Sequence, residues 1–374
     1  MREILVGPDL YRFDTFREFA DEFSLGERDL VFTTRYLYEH YIEQVAGDVA
    51  AVIQDDFGAG EPTEDMIGKI FENAPYDGYD RVIAIGGGTV MDIGKLLSIR
   101  RTGSVGDLFW RRSELVREKA LVCIPTTAGT GSEVTSTSVA IVHDETGATT
   151  KLGLLDEKLI ADTAVLIPQF LENIPHRPFA ESVIDALVHG TESFLSPARA
   201  TITTDLFAEK AISLIARGLC MASQGCDLRR DFGHELLTAA CYAGIAFLQA
   251  GCGIVHGVSY PLSGAYFVTH GAANYLFFPK VLEIYEAENP EGKWQRYADI
   301  LARAMDCAPG EARGVLVDKM EQFLPLKTMS DYGVQEADVQ RFTDSVFENQ
   351  MRLVNNAYVP MTRDKVAALY RAVL

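Results

Sequence analysis

From Val82 to Ile85, and again from Ala120 to Pro125, the chain carries no polar side chain. A strand that is apolar on both faces has to be covered on both faces, the situation of a central strand in a parallel sheet. These two runs therefore predict helices above and below a sheet core. The neighbouring sequence agrees: DLVFTT (29–34) and VAAVIQ (49–54) read as further strands, and YLYEHYIEQV as a helix. PTEDMIGKIFENA reads as a second helix, opened by Pro62 and Thr63. VMDIGKLLSIR follows RVIAI as a third. This alternation describes a doubly wound, Rossmann-like α/β domain with a parallel sheet.

From about residue 176 the pattern changes. FAESVIDALVHGTESFL, TTDLFAEKAISLIARGL, DFGHELLTAACYAGIAFLQA and KWQRYADILARAM read as long helices, and strand-like runs become rare. We expect an α/β domain over 1–175 and an all-α domain over 176–374, with the chemistry at the cleft between them. A formal charge of −19 argues against nucleic acid or an anionic membrane as a partner. The six cysteines are scattered without a C-x-x-C, which suits buried thiols in a reducing compartment. MREILVGPDLYRFD lacks the apolar core of a signal peptide, and no apolar run is long enough to span a bilayer. The expectation is a cytoplasmic protein.

The helical half holds Asp185, His189, His256 and His270. Asp185 and His189 are four residues apart in a stretch of helical periodicity, so they project from one face. His256 and His270 bound HGVSYPLSGAYFVTH; on one unbroken helix they would stand roughly 21 Å apart at ~1.5 Å per residue. Pro261 and Gly264 predict a break between them, which would let both rings meet the Asp185 face. Taken singly, each reads as an ordinary helix residue. As a set, one carboxylate and three imidazoles without a thiolate suit Fe²⁺ or Zn²⁺ and leave coordination positions for a substrate.

Two loops in the first half suit phosphate. Gly86-Gly87-Gly88-Thr89 joins RVIAI to a helix, and glycines there allow close approach of an anion to a helix N-terminus. The competing reading is a tight turn capped by a Thr89/Asp92 capping box. PTTAGTGSEVT (125–135) follows the second apolar strand and offers hydroxyl groups to ribose and phosphate oxygens. Two such loops at the carboxyl ends of parallel strands favour a nucleotide across the strand tips.

GGGTVMDIGK, PTTAGTGSEVT, DALVHGTESFLSP, HGVSYPLSGAYFVTHG and PMTRDKVAALYRAVL together resemble the iron-containing alcohol dehydrogenase family, whose two-domain plan is that of dehydroquinate synthase. LYRFDTFREF, FGAGEPTEDMI, YAGIAFLQAG, VHGVSYPLSG, HGAANYLFFPKV and QMRLVNNAYVP resemble its bacterial 4-hydroxybutyrate dehydrogenase branch. The resemblance implies an NAD-linked, metal-dependent oxidoreductase acting on a small hydroxy acid or alcohol as a homodimer. Asp185, His189, His256 and His270 are then the metal ligands, with Fe²⁺ expected and Zn²⁺ the alternative. Gly87, Gly88 and Thr89 match the pyrophosphate loop, Asp92 the acid that follows it, and Thr126, Thr127 and Thr130 cofactor contacts. Lys151 matches a lysine near the cofactor ribose.

Two positions depart from the family pattern. Tyr260 stands where many members carry a histidine given a proton-relay role; a phenol is a poor base near neutrality, so Tyr260 is expected to shape the substrate pocket. Thr34 stands where members that reject NADP tend to carry Asp, and Thr34 followed by Arg35 weakens that exclusion, although NAD remains the expectation. A four-carbon hydroxy acid also needs a partner for its carboxylate. Arg177, eight residues before Asp185, is the first choice, with the Tyr260 and Tyr266 hydroxyls as alternatives. The competing activities are oxidation of another primary alcohol or diol, and a carbon–oxygen lyase of the dehydroquinate synthase type. The lyase calls for a basic cluster beside the metal, and Arg199, Lys210, Arg217, Arg229 and Arg230 in 181–275 do not neighbour a ligand in sequence.

Overall fold

A computed structural model, which describes residues 3–101, 103–111, 113–144, 147 and 149–374, contains eight strands among those residues. They are β1 (Asp9–Arg12), β2 (Asp29–Thr33), β3 (Ala50–Ile53), β4 (Arg81–Gly86), β5 (Ala120–Pro125), β6 (Thr137–His143), β7 (Thr149–Leu155) and β8 (Thr163–Leu166). Six of them form one sheet in the order β1-β8-β5-β4-β2-β3, parallel throughout. Alternate residues of the central strands serve two cores. Leu30, Phe32, Val82, Ala84, Leu121 and Cys123 pack with Ile93, Leu96 and Leu97 of the helix Gly88–Leu97. Val31, Ile83, Ile85, Val122 and Ile124 pack on the other face with Phe16, Phe19 and Phe170. This two-sided burial is why Val82–Ile85 and Ala120–Pro125 carry no polar side chain. Gly94 lets the helix lie close to the sheet, because a Cβ there would come within 2.4 Å of the Ala84 Cβ.

The strand order reverses between β2 and β4: the chain leaves β2 for β3 on one side and returns to β4 on the other. Such a switch point opens a crevice beyond the carboxyl ends of the two strands. Thr34 follows β2 there, and Gly87 and Gly88 follow β4. β6 and β7 form an antiparallel hairpin that periodicity did not predict, and Lys151 lies on it, opposite Ile141.

The chain separates into a sheet unit, Val6–Thr127 with Gly131–Asn173, and a helical unit, Ile174–Leu374, joined by residues up to Leu5 and by Ala128–Thr130. In the helical unit His176–Leu195 is buried along most of its length and packs with Ile202–Ser223 and Gly233–Ala250. Among the described residues, no single helix is long and apolar enough to cross a membrane.

The break expected at Pro261 and Gly264 is not there. One helix runs Ile254–Tyr266 straight through Pro261 and ends at Phe267, whose left-handed backbone (φ 54°, ψ 32°) turns the chain. The next helix starts at His270. An interior proline costs ~3 kcal/mol, whereas burying an aliphatic side chain contributes about 1.5–3 kcal/mol. Ile254, Val255, Val258 and Leu262 are all buried on this helix, so packing outweighs the proline.

Candidate metal centre

Asp185 and His189 lie one turn apart on the helix His176–Leu195, and both are buried. The turn at Phe267 swings His270 back, so that its ring centre comes within 5.1 Å of His256. Gly271 permits this: a Cβ there would meet the Glu181 carbonyl oxygen at 2.5 Å, one turn before Asp185. Thr269 fixes the same junction by donating its hydroxyl to Glu181 at 2.7 Å. His189 is sandwiched between the rings of Phe247 and His256, at 4.5 and 4.8 Å.

The donor atoms of Asp185, His189, His256 and His270 all lie within 4.8 Å of one another. His189 Nδ1 is buried and has no hydrogen-bond partner. Asp185 Oδ2 is 3.8 Å from it, and Asp185 Oδ1 is 3.7 Å from His270 Nε2. Burial alone would raise the Asp185 carboxyl, but the three imidazoles and the Asn274 amide hold it below the usual carboxylate range. Burial lowers His189, keeping its ring neutral and its lone pair available. A buried carboxylate and an orphaned ring nitrogen facing a common centre fit a divalent cation bonded at about 2.0–2.2 Å.

Two residues that motif reading passed over complete the centre. Glu192 accepts from His256 Nδ1 at 2.6 Å and from the Val255 N–H at 2.7 Å. This directs His256 Nε2 toward the other candidate ligands, the carboxylate–histidine arrangement that orients metal-binding imidazoles. Asn274 donates Nδ2 to Asp185 Oδ1 at 2.8 Å, with His256 Nε2 and His270 Nε2 each 3.2 Å from the same nitrogen. Spacing held both signals: Glu192 is three residues after His189, and Asn274 four after His270, each one helical turn from a ligand.

The remaining expected residues fall as follows. Tyr260 is one turn after His256, its ring centre 6.4 Å from that imidazole and 6.1 Å from His270. Arg177 is engaged by Glu181 at 2.8 Å and by the Tyr332 hydroxyl at 3.3 Å. Tyr266 donates to Asp338 and packs on Phe342.

In the sheet unit, Gly87 caps the helix Gly88–Leu97 without a side-chain bond, so the Thr89/Asp92 capping box does not form. Thr89 donates instead to the Gly60 carbonyl. Asp92 accepts from the Ser132 hydroxyl and the Val139 N–H, bracing the second loop. Thr126 joins the two loops by donating its N–H to Gly86 at 3.1 Å, and a Cβ on Gly87 would lie 3.8 Å from Thr127. Thr127 and Thr130 are partly exposed. Lys151 pairs with Glu61. Beside Thr34, the Arg35 guanidinium pairs with Asp56, and its N–H is taken by Asp55.

Residues 8–168 match the model for iron-containing alcohol dehydrogenases, and residues 179–374 that for the C-terminal part of the Fe-containing alcohol dehydrogenase family. The chain belongs to the iron-containing alcohol dehydrogenase family. It is 40% identical to a 4-hydroxybutyrate dehydrogenase of Clostridium kluyveri over 99% of both chains. It is 32% identical to long-chain-alcohol dehydrogenase 1 of Geobacillus thermodenitrificans over 79% of this chain and 75% of that protein. Among solved structures, a sulfoacetaldehyde reductase of Bifidobacterium kashiwanohense in complex with NAD⁺ superposes with a TM-score of 0.83 at 19% identity, covering 100% of this chain and 98% of that one. An iron-containing alcohol dehydrogenase of Thermococcus thioreducens gives 0.82 at 24% identity over 99% of each. These two likenesses establish the shared fold.

Proposed function

We propose that this family member interconverts 4-hydroxybutyrate and succinate semialdehyde, with NAD as hydride carrier and a divalent ion, Fe²⁺ by expectation, held by Asp185, His189, His256 and His270. The observation that carries the reading is the convergence of those four side chains, with the His256 ring oriented by Glu192. The whole-length similarity to the Clostridium kluyveri enzyme supports the substrate. When bound, the ion supplies Lewis acidity to the alcohol oxygen and NAD accepts the hydride.

The chain's own residues supply position and charge. Asp185 offsets part of the cation's charge, and Phe247 and His256 fix the plane of His189 between them. Burial pushes the Tyr260 phenol above its usual range, so it keeps its proton at neutral pH and serves as pocket wall or hydrogen-bond donor, not as the base. Thr34 and Gly87–Thr89 follow the two strands at the switch point, the second loop follows the neighbouring β5, and Gly87, Gly88, Thr89, Thr126, Thr127 and Thr130 are assigned to the cofactor on that ground. Asp55 and Asp56 surround Arg35 there with negative charge, which favours NAD over a cofactor carrying a 2′-phosphate. The reading extends to a cytoplasmic homodimer; six free cysteines suit a reducing compartment.

The test is NADH formation by metal-stripped protein reloaded anaerobically with Fe²⁺, comparing 4-hydroxybutyrate with butan-1-ol at equal concentration. A metal-dependent preference for the acid is expected. Equal or faster turnover of butan-1-ol would leave a general alcohol dehydrogenase.

A further inference from the structure

Of the four candidate ligands, His270 is the least enclosed: its side chain is 29% exposed, against 5% for His189, 3% for Asp185 and 2% for His256. Close packing locks the other three, whereas His270 depends on how its own stretch of chain is anchored. We propose that Glu181 is a positioning residue for His270, acting through the hydroxyl of Thr269, with Arg177 as its counter-charge. The inference rests on the metal centre of the proposed function and identifies what keeps its most exposed ligand in place.

Thr269 precedes His270 and is the N-cap of the helix His270–Glu288. A threonine at an N-cap ordinarily accepts a hydrogen bond from an N–H of the first turn. Thr269 makes no such side-chain bond. Its hydroxyl donates to Glu181 Oε2 at 2.7 Å. The other carboxylate oxygen, Oε1, accepts from Arg177 Nε at 2.8 Å, and the same guanidinium donates to the Tyr332 hydroxyl at 3.3 Å. Glu181 is buried, and a buried carboxylate is costly unless its oxygens are satisfied. Thr269 and Arg177 satisfy one oxygen each. The carboxylate also lies at the N-terminus of a 19-residue helix, where negative charge is favoured.

The backbone is drawn in at the same place. Phe267 holds a left-handed conformation (φ 54°), which is unfavourable for a residue with a side chain and persists only where the surroundings enforce it. Val268 is buried, and a Cβ on Gly271 would stand 2.5 Å from the Glu181 carbonyl oxygen. Glu181 therefore meets the start of the helix twice, through its side chain at Thr269 and through its backbone at Gly271. His270 lies between those two contacts. Because Glu181 is also one turn before Asp185 on the helix His176–Leu195, the network ties His270 to the element that carries Asp185 and His189. Bonds from a nitrogen to such an ion are ~2.0–2.1 Å with a tolerance of about 0.2 Å, so a shift of the helix start by an ångström would take His270 out of reach.

The experiment uses the full chain and compares the wild type with Thr269→Val, Thr269→Ser, Glu181→Gln and His270→Ala. Thr269 is exposed and valine is isosteric with it, so Thr269→Val is expected to fold. Co²⁺ is the probe: chelator competition gives its affinity, and its visible ligand-field absorption reports coordination geometry without turnover. Thr269→Val and Glu181→Gln are expected to weaken Co²⁺ binding on the order of 10-fold and to shift the absorption toward that of His270→Ala. Thr269→Ser keeps the hydroxyl and should restore both. Urea midpoints of the metal-free forms separate positioning from folding. A lowered midpoint with the wild-type absorption and affinity would overturn the assignment of Glu181 while the metal centre stands, as would no change in any of these readouts. If His270→Ala binds Co²⁺ as the wild type does, the metal centre itself fails and the assignment goes with it.

Discussion

Glu192 holds the Nδ1 proton of His256 at 2.6 Å, and both residues are buried. One ring nitrogen is therefore occupied by a carboxylate, and the other is directed toward Asp185 and the remaining imidazoles. Glu192→Gln keeps the shape but removes the charge, and metal affinity should fall about 10- to 100-fold. Chelator competition monitored by metal content checks this. Unchanged affinity would mean that Glu192 serves only to anchor the Val255 N–H.

Asn274 is fully buried, and its amide contacts three of the four candidate ligands. Asn274→Ala leaves Asp185 Oδ1 without that donor, and a buried acceptor stripped of its partner costs about 1–3 kcal/mol. Urea unfolding should show a lower midpoint, with the larger drop in metal-stripped protein, where no ion takes over the acceptor. An equal drop with and without metal would assign Asn274 to packing alone.

Glu133 supplies a pH dependence separate from the metal. Burial raises its carboxyl from the ordinary 4.5 to about 7, against the smaller lowering effects of a backbone hydrogen bond and Lys95. The folded state therefore binds this proton more tightly than the unfolded chain does. The associated stability is complete below pH 4.5 and is lost as pH rises through about 7. Glu133→Gln stays neutral throughout, so it should raise stability at pH 8 and flatten the slope between pH 5 and 7. Denaturation midpoints at those pH values decide it, and an unaltered slope would assign the pH dependence to other groups.

Arg35 sits next to Thr34 at the β2 tip with its guanidinium held by Asp56. The wild type is expected to prefer NAD. Asp56→Ala frees that cation, so kcat/KM with NADP should rise relative to NAD. Steady-state kinetics with both cofactors test this, and an unchanged ratio would place the 2′ position of the ribose away from Arg35.

The strands legible in sequence were those whose environment is the same on both faces. VIAI and ALVCIP are uniformly apolar because two cores cover them. The β6–β7 hairpin escaped notice because β7 is mostly exposed or half-buried and carries no sustained apolar face. Within the centre, Asp185 and His189 could be paired from their spacing alone, since one helix face brings them together. His256 and His270 needed a turn whose place was misjudged: Pro261 is the obvious breaker, but burial carries the helix past it to Phe267. Arg177 illustrates the opposite limit, for nothing in its neighbourhood of sequence announces that Tyr332 will share it with Glu181.

Periodicity and residue chemistry by themselves determined the layered α/β half, the helical half and the four donor types of the candidate metal centre, because each follows from local spacing or from a run of like residues. Tertiary structure decided what depends on elements distant in sequence. It decided that Glu192 reaches His256 across 64 residues and that Asn274 reaches Asp185 across 89. A side chain's partner across such separations is set by how whole helices pack, and a single sequence carries no local trace of that contact.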